Sequence, residues 1–154
     1  MPLAVDLPDL DATFRLGRRL GALLFPGAVV ALVGPLGAGK THFTRAVAEG
    51  LAVADPRVVT SPTFVLMQEY PARLPIYHFD AYRLRGPADF ADLGTDEILA
   101  GDGVCLIEWA DRVAAEMPAD HLRITLEPTG ETSRRATLEA TGPRHQALVA
   151  GLAE

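Results

Sequence analysis

Gly34-Pro35-Leu36-Gly37-Ala38-Gly39-Lys40-Thr41 has the spacing G-x-x-x-x-G-K-[ST], that of a loop whose backbone N–H groups cradle phosphates. Before it, Ala28-Val29-Val30-Ala31-Leu32-Val33 is an apolar, partly β-branched run that reads as a buried strand. After it, Thr41 to Leu51 places Phe43, Val47 and Leu51 on one helical face, with Gly50 near the helix end. Strand, glycine loop and helix in that order are the context the motif requires. Loop amides from Leu36, Gly37, Ala38 and Gly39, with the positive end of the helix, would hold the β-phosphate. Lys40 would bridge the β- and γ-phosphates, and the Thr41 hydroxyl would hold Mg²⁺.

The basic residues support the same reading. Lysine and arginine total 14, and Lys40 is the one lysine among them. A compact ammonium between two phosphates is not replaced by a wide planar guanidinium, so the exception to the arginine bias falls where phosphate chemistry needs it.

At 154 residues the chain, 1–154, is expected to form a single domain with one sizeable core. No eighteen-residue apolar run predicts a membrane span, and Met1 to Leu7 lacks the basic segment and apolar core of a secretory leader. Cys105 has no partner for an internal disulfide and lies in an apolar run, as a small buried hydrophobe does. A cytoplasmic location is the expectation. The net charge of −6 argues against unaided binding to a nucleic-acid backbone. Arg18-Arg19 and Arg134-Arg135 are the only adjacent basic pairs, so any contact with nucleic acid is expected to run through a partner.

Asp9 to Leu24 reads as an amphipathic helix with Leu10, Phe14, Leu20 and Leu24 near one face, capped by Asp9 or Asp11. Val58 to Leu66 reads as extended, bent at Pro62. Ile76 to Asp80 and Gly103 to Trp109 read as strands, Pro87 to Ala100 as one or two short helices, and Ala110 to Met117 as another. His121–Glu127 and Arg135–Ala140 alternate strictly and are joined by Pro128-Thr129-Gly130, a hairpin pattern. Pro143 opens a last helix. The order predicts a three-layer α/β domain with a mixed, mainly parallel sheet and a C-terminal hairpin.

Hydrolysis needs an acid near Mg²⁺ and a group that places water. Asp80 and Glu108 each follow an apolar strand, so each belongs at the carboxyl edge of the sheet, where ligands sit in open α/β folds. Either could take either role; a helix cap or surface ion pair is the alternative for both. Ser61-Pro62-Thr63 lies where small triphosphatases put a γ-phosphate-sensing loop, and Thr63 or Ser61 could offer a hydroxyl or carbonyl to Mg²⁺; an ordinary proline bend is the even alternative. Trp109 either packs over the site or belongs to the core or a docking surface. His42 and His78 have no His or Cys partner at metal spacing and read as structural. Arg134 and Arg135 point to opposite faces of their strand, so one could reach a phosphate or the adenine edge; a solvated strand edge is the favoured alternative.

The loop, Ser61-Pro62-Thr63-Phe64, Tyr77-His78-Phe79-Asp80-Ala81-Tyr82-Arg83-Leu84 and Ile107-Glu108-Trp109 occur in the order and spacing of one family, as do Leu7-Pro8-Asp9, Ala12-Thr13 and Leu16-Gly17. Nearly the whole chain closely resembles the TsaE (YjeE) family, small bacterial ATPases needed for the threonylcarbamoyladenosine modification of tRNA, at the adenosine next to the anticodon. The resemblance implies a P-loop domain with slow Mg²⁺-dependent ATP hydrolysis. It implies a protein that binds and resets a TsaB–TsaD heterodimer, meets tRNA only through that complex and has no membrane partner. ATP and Mg²⁺ are the implied cofactors. Lys40, Asp80 and Glu108 match the catalytic positions; Thr41, Glu108 and Asp80 match those near Mg²⁺. Leu10, Trp109 and Arg134 match positions near the nucleotide. Pro35 stands for the usual acidic loop residue and Ala81 for a larger apolar one, and neither change removes a group the chemistry needs.

Other readings fit less well. No arginine-bearing insert offers the lid of a small-molecule kinase. The N-K-x-D segment of a GTPase and the L-S-G-G-Q segment of a transporter ATPase are absent. A nucleotide-gated binding module without turnover is the serious rival.

Overall fold

Val29–Val33 is apolar at every position because it is covered from both sides. Val30 and Leu32 enter one core, Val29 and Ala31 another. A strand without a polar face belongs in the interior of a sheet with helices above and below. The computed structural model describes residues 2–35, 37–60 and 66–153. Within these, the strands are β1 (Leu3–Leu7), β2 (Val29–Val33), β3 (Met67–Tyr70), β4 (Ile76–Asp80), β5 (Val104–Glu108), β6 (Leu122–Pro128) and β7 (Arg134–Ala140). The α-helices are α1 (Leu10–Leu23), α2 (Lys40–Gly50), α3 (Pro87–Ala91), α4 (Thr95–Leu99) and α5 (Pro143–Ala153). The described strands form one sheet in the order β1-β7-β6-β2-β5-β4-β3. Its four central strands, β6, β2, β5 and β4, run parallel. On one side β7 pairs antiparallel with β6 and β1 antiparallel with β7, so β1 runs the same way as the central strands; on the other side β3 pairs antiparallel with β4.

The two faces are covered by different parts of the chain. Leu16 and Leu20 of α1, Phe43 and Val47 of α2 and Leu148 and Leu152 of α5 close over Val30, Leu32, Leu106 and Ile124. On the other face Phe90 of α3 and Ala110 and Val113 of the following 3₁₀ turn cover Val29, Phe79, Cys105 and Ile107. Over β6 and β7 this second face is uncovered, so Arg123, Glu127, Arg135 and Glu139 stand exposed there. That is the physical reason β2 and β5 read as continuous apolar runs and the hairpin as strict alternation.

Helices α1 and α2 touch through glycine. A Cβ on Gly21 would lie 2.2 Å from the Val47 carbonyl oxygen, and one on Gly50 would lie 2.3 Å from that of Arg18. The buried stripe of α1 is therefore Ala12, Thr13, Leu16, Gly17, Leu20 and Gly21. Leu10, expected on that stripe, is 39% exposed, and Phe14 is only partly buried. Apolar spacing marked the large residues, whereas contact between the helices depends on the small ones. Asp9 is the cap, its carboxylate accepting the Ala12 N–H at 2.8 Å.

Three further elements differ from expectation. Leu3–Leu7, read only as evidence against a leader, is an edge strand that needs β7 to form. Val58 to Leu66 does not begin extended: Asp55 caps a 3₁₀ turn at Pro56–Val58, the start chemistry of a helix. Residues 61–65 lie outside the described residues, and the strand there begins only at Met67. Ala110–Glu116 is a kinked 3₁₀ segment that buries Ala110 and Val113 at i, i+3. No helix of the described residues is long and apolar enough to cross a membrane.

Helix α5 is held by a buried histidine. Asp120 accepts the Arg144 and His145 N–H groups, capping a helix whose own cap position, Gly142, has no side chain. His145, 1% exposed, donates from Nδ1 to Asp120 at 2.7 Å and accepts the Val29 N–H at Nε2 at 3.1 Å. Both nitrogens are committed to the neutral ring. Burial pushes its pKa below the ordinary 6.5, with Arg144 and His121 assisting and Asp120 opposing.

Two outcomes are expected. Gly21→Val should destabilise the chain by about 1–3 kcal/mol or more through forced separation of α1 and α2, read as a lower urea midpoint. Because the folded His145 pKa is depressed, the unfolded chain takes up the proton first. The stability tied to it is complete above 6.5 and is lost as pH falls through that value. Urea midpoints measured from about pH 8 down to about pH 5 should drop across the imidazole range, and His145→Gln should flatten the drop.

Candidate functional site

The carboxyl ends of β4 and β5 lie beside the N-terminus of α2. In the parallel pairing of these strands Asp80 is the register partner of Glu108, so the two carboxylates stand side by side on one face of the sheet. Their neighbours Phe79 and Ile107 point to the opposite core. Both acids are buried, Glu108 at 2% exposure.

A cavity of about 470 Å³ opens here, lined by Gly37 to His42, Asp80, Tyr82, Glu108, Trp109 and Arg134. Gly39 is the cap residue of α2 with a φ of 93°, a left-handed turn that a side chain would strain. It offers no capping side chain, so the first amides of α2, which have no intrahelical acceptor, face a ligand site with the positive end of the helix.

Lys40 is 5% exposed. Its ammonium donates to the Gly34 and Pro35 carbonyls at 2.5 and 2.9 Å and lies 4.0 Å from the centre of the Trp109 ring. Burial lowers its pKa, opposed by the charges of Glu108, Asp111 and Asp80. The Thr41 hydroxyl donates to Glu108 Oε1 at 3.1 Å. Trp109 sits in the left-handed region at φ 59°, uncommon for a bulky residue. That turn sets the indole against both Lys40 and the Tyr82 ring, 4.9 Å away. Asp80 Oδ1 accepts the Tyr82 N–H at 2.9 Å.

Arg134 enters from β7. Its guanidinium donates to the Ala38 carbonyl at 2.9 Å and the Gly37 carbonyl at 3.0 Å, tying the phosphate loop to the hairpin. Arg135 points the other way and pairs with Asp6 at 3.1 Å. The opposite-face reading of the two arginines holds, with Arg134 contacting the loop backbone.

The structure thus brings Gly37, Ala38, Gly39, Lys40, Thr41, Asp80, Glu108, Trp109 and Arg134 to one cavity. Leu10 is placed at the first turn of α1 and is not among the residues lining it. Leu36, Ser61 and Thr63 lie outside the described residues. Sequence reasoning missed His78. It is wholly buried, with Nε2 2.5 Å from Glu108 Oε2 and Nδ1 3.1 Å from the Tyr70 hydroxyl. One signal was available: His78 and Asp80, two apart on a strand, share a face. His42 and Tyr82 also line the cavity, and their spacing in the sequence carried no sign of it.

No cluster of three or more His, Cys, Asp and Glu side chains among the described residues makes a self-sufficient metal site. A hydroxyl beside one or two carboxylates is instead the donor set of Mg²⁺ shared with substrate phosphates, and Thr41 with Glu108 fits it. Cys105 takes no part: burial pushes its thiol up to about 12.

Comparison with known proteins points to one family. The sequence model of a family described as threonylcarbamoyl adenosine biosynthesis protein TsaE matches residues 7–136. A Bacillus subtilis protein named tRNA threonylcarbamoyladenosine biosynthesis protein TsaE is 41% identical over 139 residues, 90% of this chain and 85% of the relative. A protein of the same name from Treponema pallidum is 44% identical over 126 residues, 82% of this chain and 92% of that one. The crystal structure of YdiB from Bacillus subtilis superposes with a TM-score of 0.83 at 35% identity, covering 99% of this chain and 95% of that chain. A phosphate loop, paired strand-end acids and a family match over most of the length lead to one conclusion: the chain belongs to the TsaE family of threonylcarbamoyl adenosine biosynthesis proteins.

Proposed function

We propose that this protein is a Mg²⁺-dependent ATPase that serves the threonylcarbamoyladenosine modification of tRNA by binding and resetting a TsaB–TsaD assembly. The observation that carries the ATPase reading is the hydrogen bond from Thr41 to Glu108 at the mouth of the phosphate loop. It joins the loop hydroxyl and the strand-end acid, the two protein groups that Mg²⁺ and a triphosphate require together. The names of the relatives support the tRNA modification, and the acidic net charge suits a protein that docks on other proteins and leaves tRNA to them.

The residues divide the work by position. Loop amides and the α2 N-terminus bind the phosphates. Lys40 exchanges its carbonyl partners for phosphate oxygens, at a gain because its charge is already stripped of water. Thr41 and Glu108 would hold Mg²⁺, which when bound neutralises charge on the β- and γ-phosphate oxygens. Asp80, whose Oδ1 accepts the Tyr82 amide, would orient the attacking water and accept its proton. Trp109 and Tyr82 wall the site and limit solvent.

ATP turnover and nucleotide binding by the purified chain, alone and with TsaB and TsaD, test this. Turnover should rise with the partners. Lys40→Ala should lose nucleotide binding. Glu108→Ala should keep binding and lose about 100-fold in turnover; full turnover in that variant would remove Glu108 from the mechanism. ATP binding without turnover under every condition would leave a nucleotide-gated binding protein. Arg134→Ala frees the loop carbonyls at Gly37 and Ala38, so a loop competent one-tenth of the time should bind ADP about tenfold more weakly. Its urea midpoint should barely move, because the guanidinium is partly exposed.

A further inference from the structure

Hydrogen bonds run without a break from β3 to α2 beneath the site. The Tyr70 hydroxyl lies 3.1 Å from His78 Nδ1, His78 Nε2 lies 2.5 Å from Glu108 Oε2, and Glu108 Oε1 accepts the Thr41 hydroxyl at 3.1 Å. Tyr70 lies also 3.4 Å from the Thr60 carbonyl. Tyr70, His78 and Glu108 are all buried. The same face of the sheet around them is apolar: Ile76, Leu106, Val30 and Leu32. An imidazole there costs free energy unless both nitrogens are partnered, and the partners are the acid of the site and a tyrosine.

The geometry sets the ring's protons. An ionised carboxylate only accepts, so the nitrogen facing it, Nε2, carries the hydrogen. Nδ1 is then an acceptor, and of the two acceptors open to the single Tyr70 O–H hydrogen it is the nearer, at 3.1 Å against 3.4 Å for the Thr60 carbonyl. A carboxylate alone turns freely about its terminal bond, which is broad and roughly two-fold. With the imidazole donor on Oε2, Oε1 is left as the nearer acceptor for the Thr41 hydroxyl, at 3.1 Å against 3.5 Å for Oε2. We propose that His78 is a positioning residue for Glu108: with Tyr70 fixing its tautomer, it holds the carboxylate in the orientation that faces Thr41 and the metal side of the nucleotide. This rests on the proposed ATPase reading. It explains why a histidine with no metal partners occupies the interior of β4, and it extends the working site three strands into the sheet.

The test has two arms. In the nucleotide-free chain, ¹⁵N spectra of His78 should show a protonated Nε2 and a bare Nδ1; the opposite tautomer would overturn the proposal. In the second arm Trp109, the one tryptophan of the chain, reports Mg²⁺ titrations by fluorescence at saturating ADP. His78→Leu should raise the half-saturating Mg²⁺ concentration by about 10- to 100-fold and leave Mg²⁺-free ADP affinity unchanged. His78→Gln, which keeps a donor near the Nε2 position, should recover most of the loss. Should His78→Leu fail to fold, Tyr70→Phe and His78→Gln carry the comparison, with a smaller rise expected for Tyr70→Phe. Wild-type Mg²⁺ dependence in the variants, or equal loss of Mg²⁺-free ADP affinity in all of them, would overturn the proposal. Failure of the ATPase reading shows elsewhere, as a wild-type chain that binds ATP without turning it over or that binds no nucleotide. The tautomer arm, read without nucleotide, still decides whether His78 holds Glu108.

Discussion

Glu108 ends a strand that is buried along its whole length, and its carboxylate has to be satisfied within the protein. Removing such a group from water costs on the order of several kcal/mol unless donors replace the solvent. The donors come from two directions, Thr41 at the head of α2 and His78 on the neighbouring strand. Satisfying this one acid therefore ties the phosphate loop to the sheet and sets how far α2 stands from β4 and β5. The same acid is left with an oxygen at the cavity mouth, beside the loop hydroxyl. The demand for hydrogen bonds and the placement of the site are one constraint.

The phosphate loop is held from three sides, each by a different region of sequence. Its carbonyls at Gly34 and Pro35 receive the Lys40 ammonium from within the motif. Those at Gly37 and Ala38 receive the Arg134 guanidinium from β7, almost a hundred residues later. The indole of Trp109, turned by a left-handed backbone, covers Lys40 from the end of β5. A loop rich in glycine loses much conformational entropy on ordering, and these cross-links offset that loss within the folded chain. They also make the C-terminal hairpin part of the cavity, although Asp80 and Glu108 lie on other strands.

The sheet is closed on one face and half open on the other. Helices α1, α2 and α5 cover the first face, and the glycine contact between α1 and α2 keeps α2 close over the strand ends. On the second face cover stops before β6 and β7, where the register sets Arg123 against Glu139 and Glu127 against Arg135. Opposite charges thus stand across from one another on neighbouring strands.

Local chemistry by itself determined much of this protein. The glycine loop, Lys40 and Thr41 are contiguous, and a phosphate cradle is made by neighbouring backbone amides, so eight residues suffice to announce it. Asp80 and Glu108 were legible as strand-end acids because an apolar run followed by a carboxylate means the carboxyl edge of a parallel sheet. Hairpin alternation and the family resemblance followed from spacing in the same way. Only the tertiary structure decided the rest. That Asp80 stands beside Glu108 depends on which strands are neighbours, and that Arg134 reaches Gly37 depends on β7 lying two strands from β2. His78 looked structural because nothing near it in sequence could be its partner; its partners are 8 and 30 residues away and meet it only through strand register. Edge strand β1 and the glycine seam between α1 and α2 were hidden for the same reason: pairing and close approach belong to two segments at once, whereas propensity and periodicity report on one.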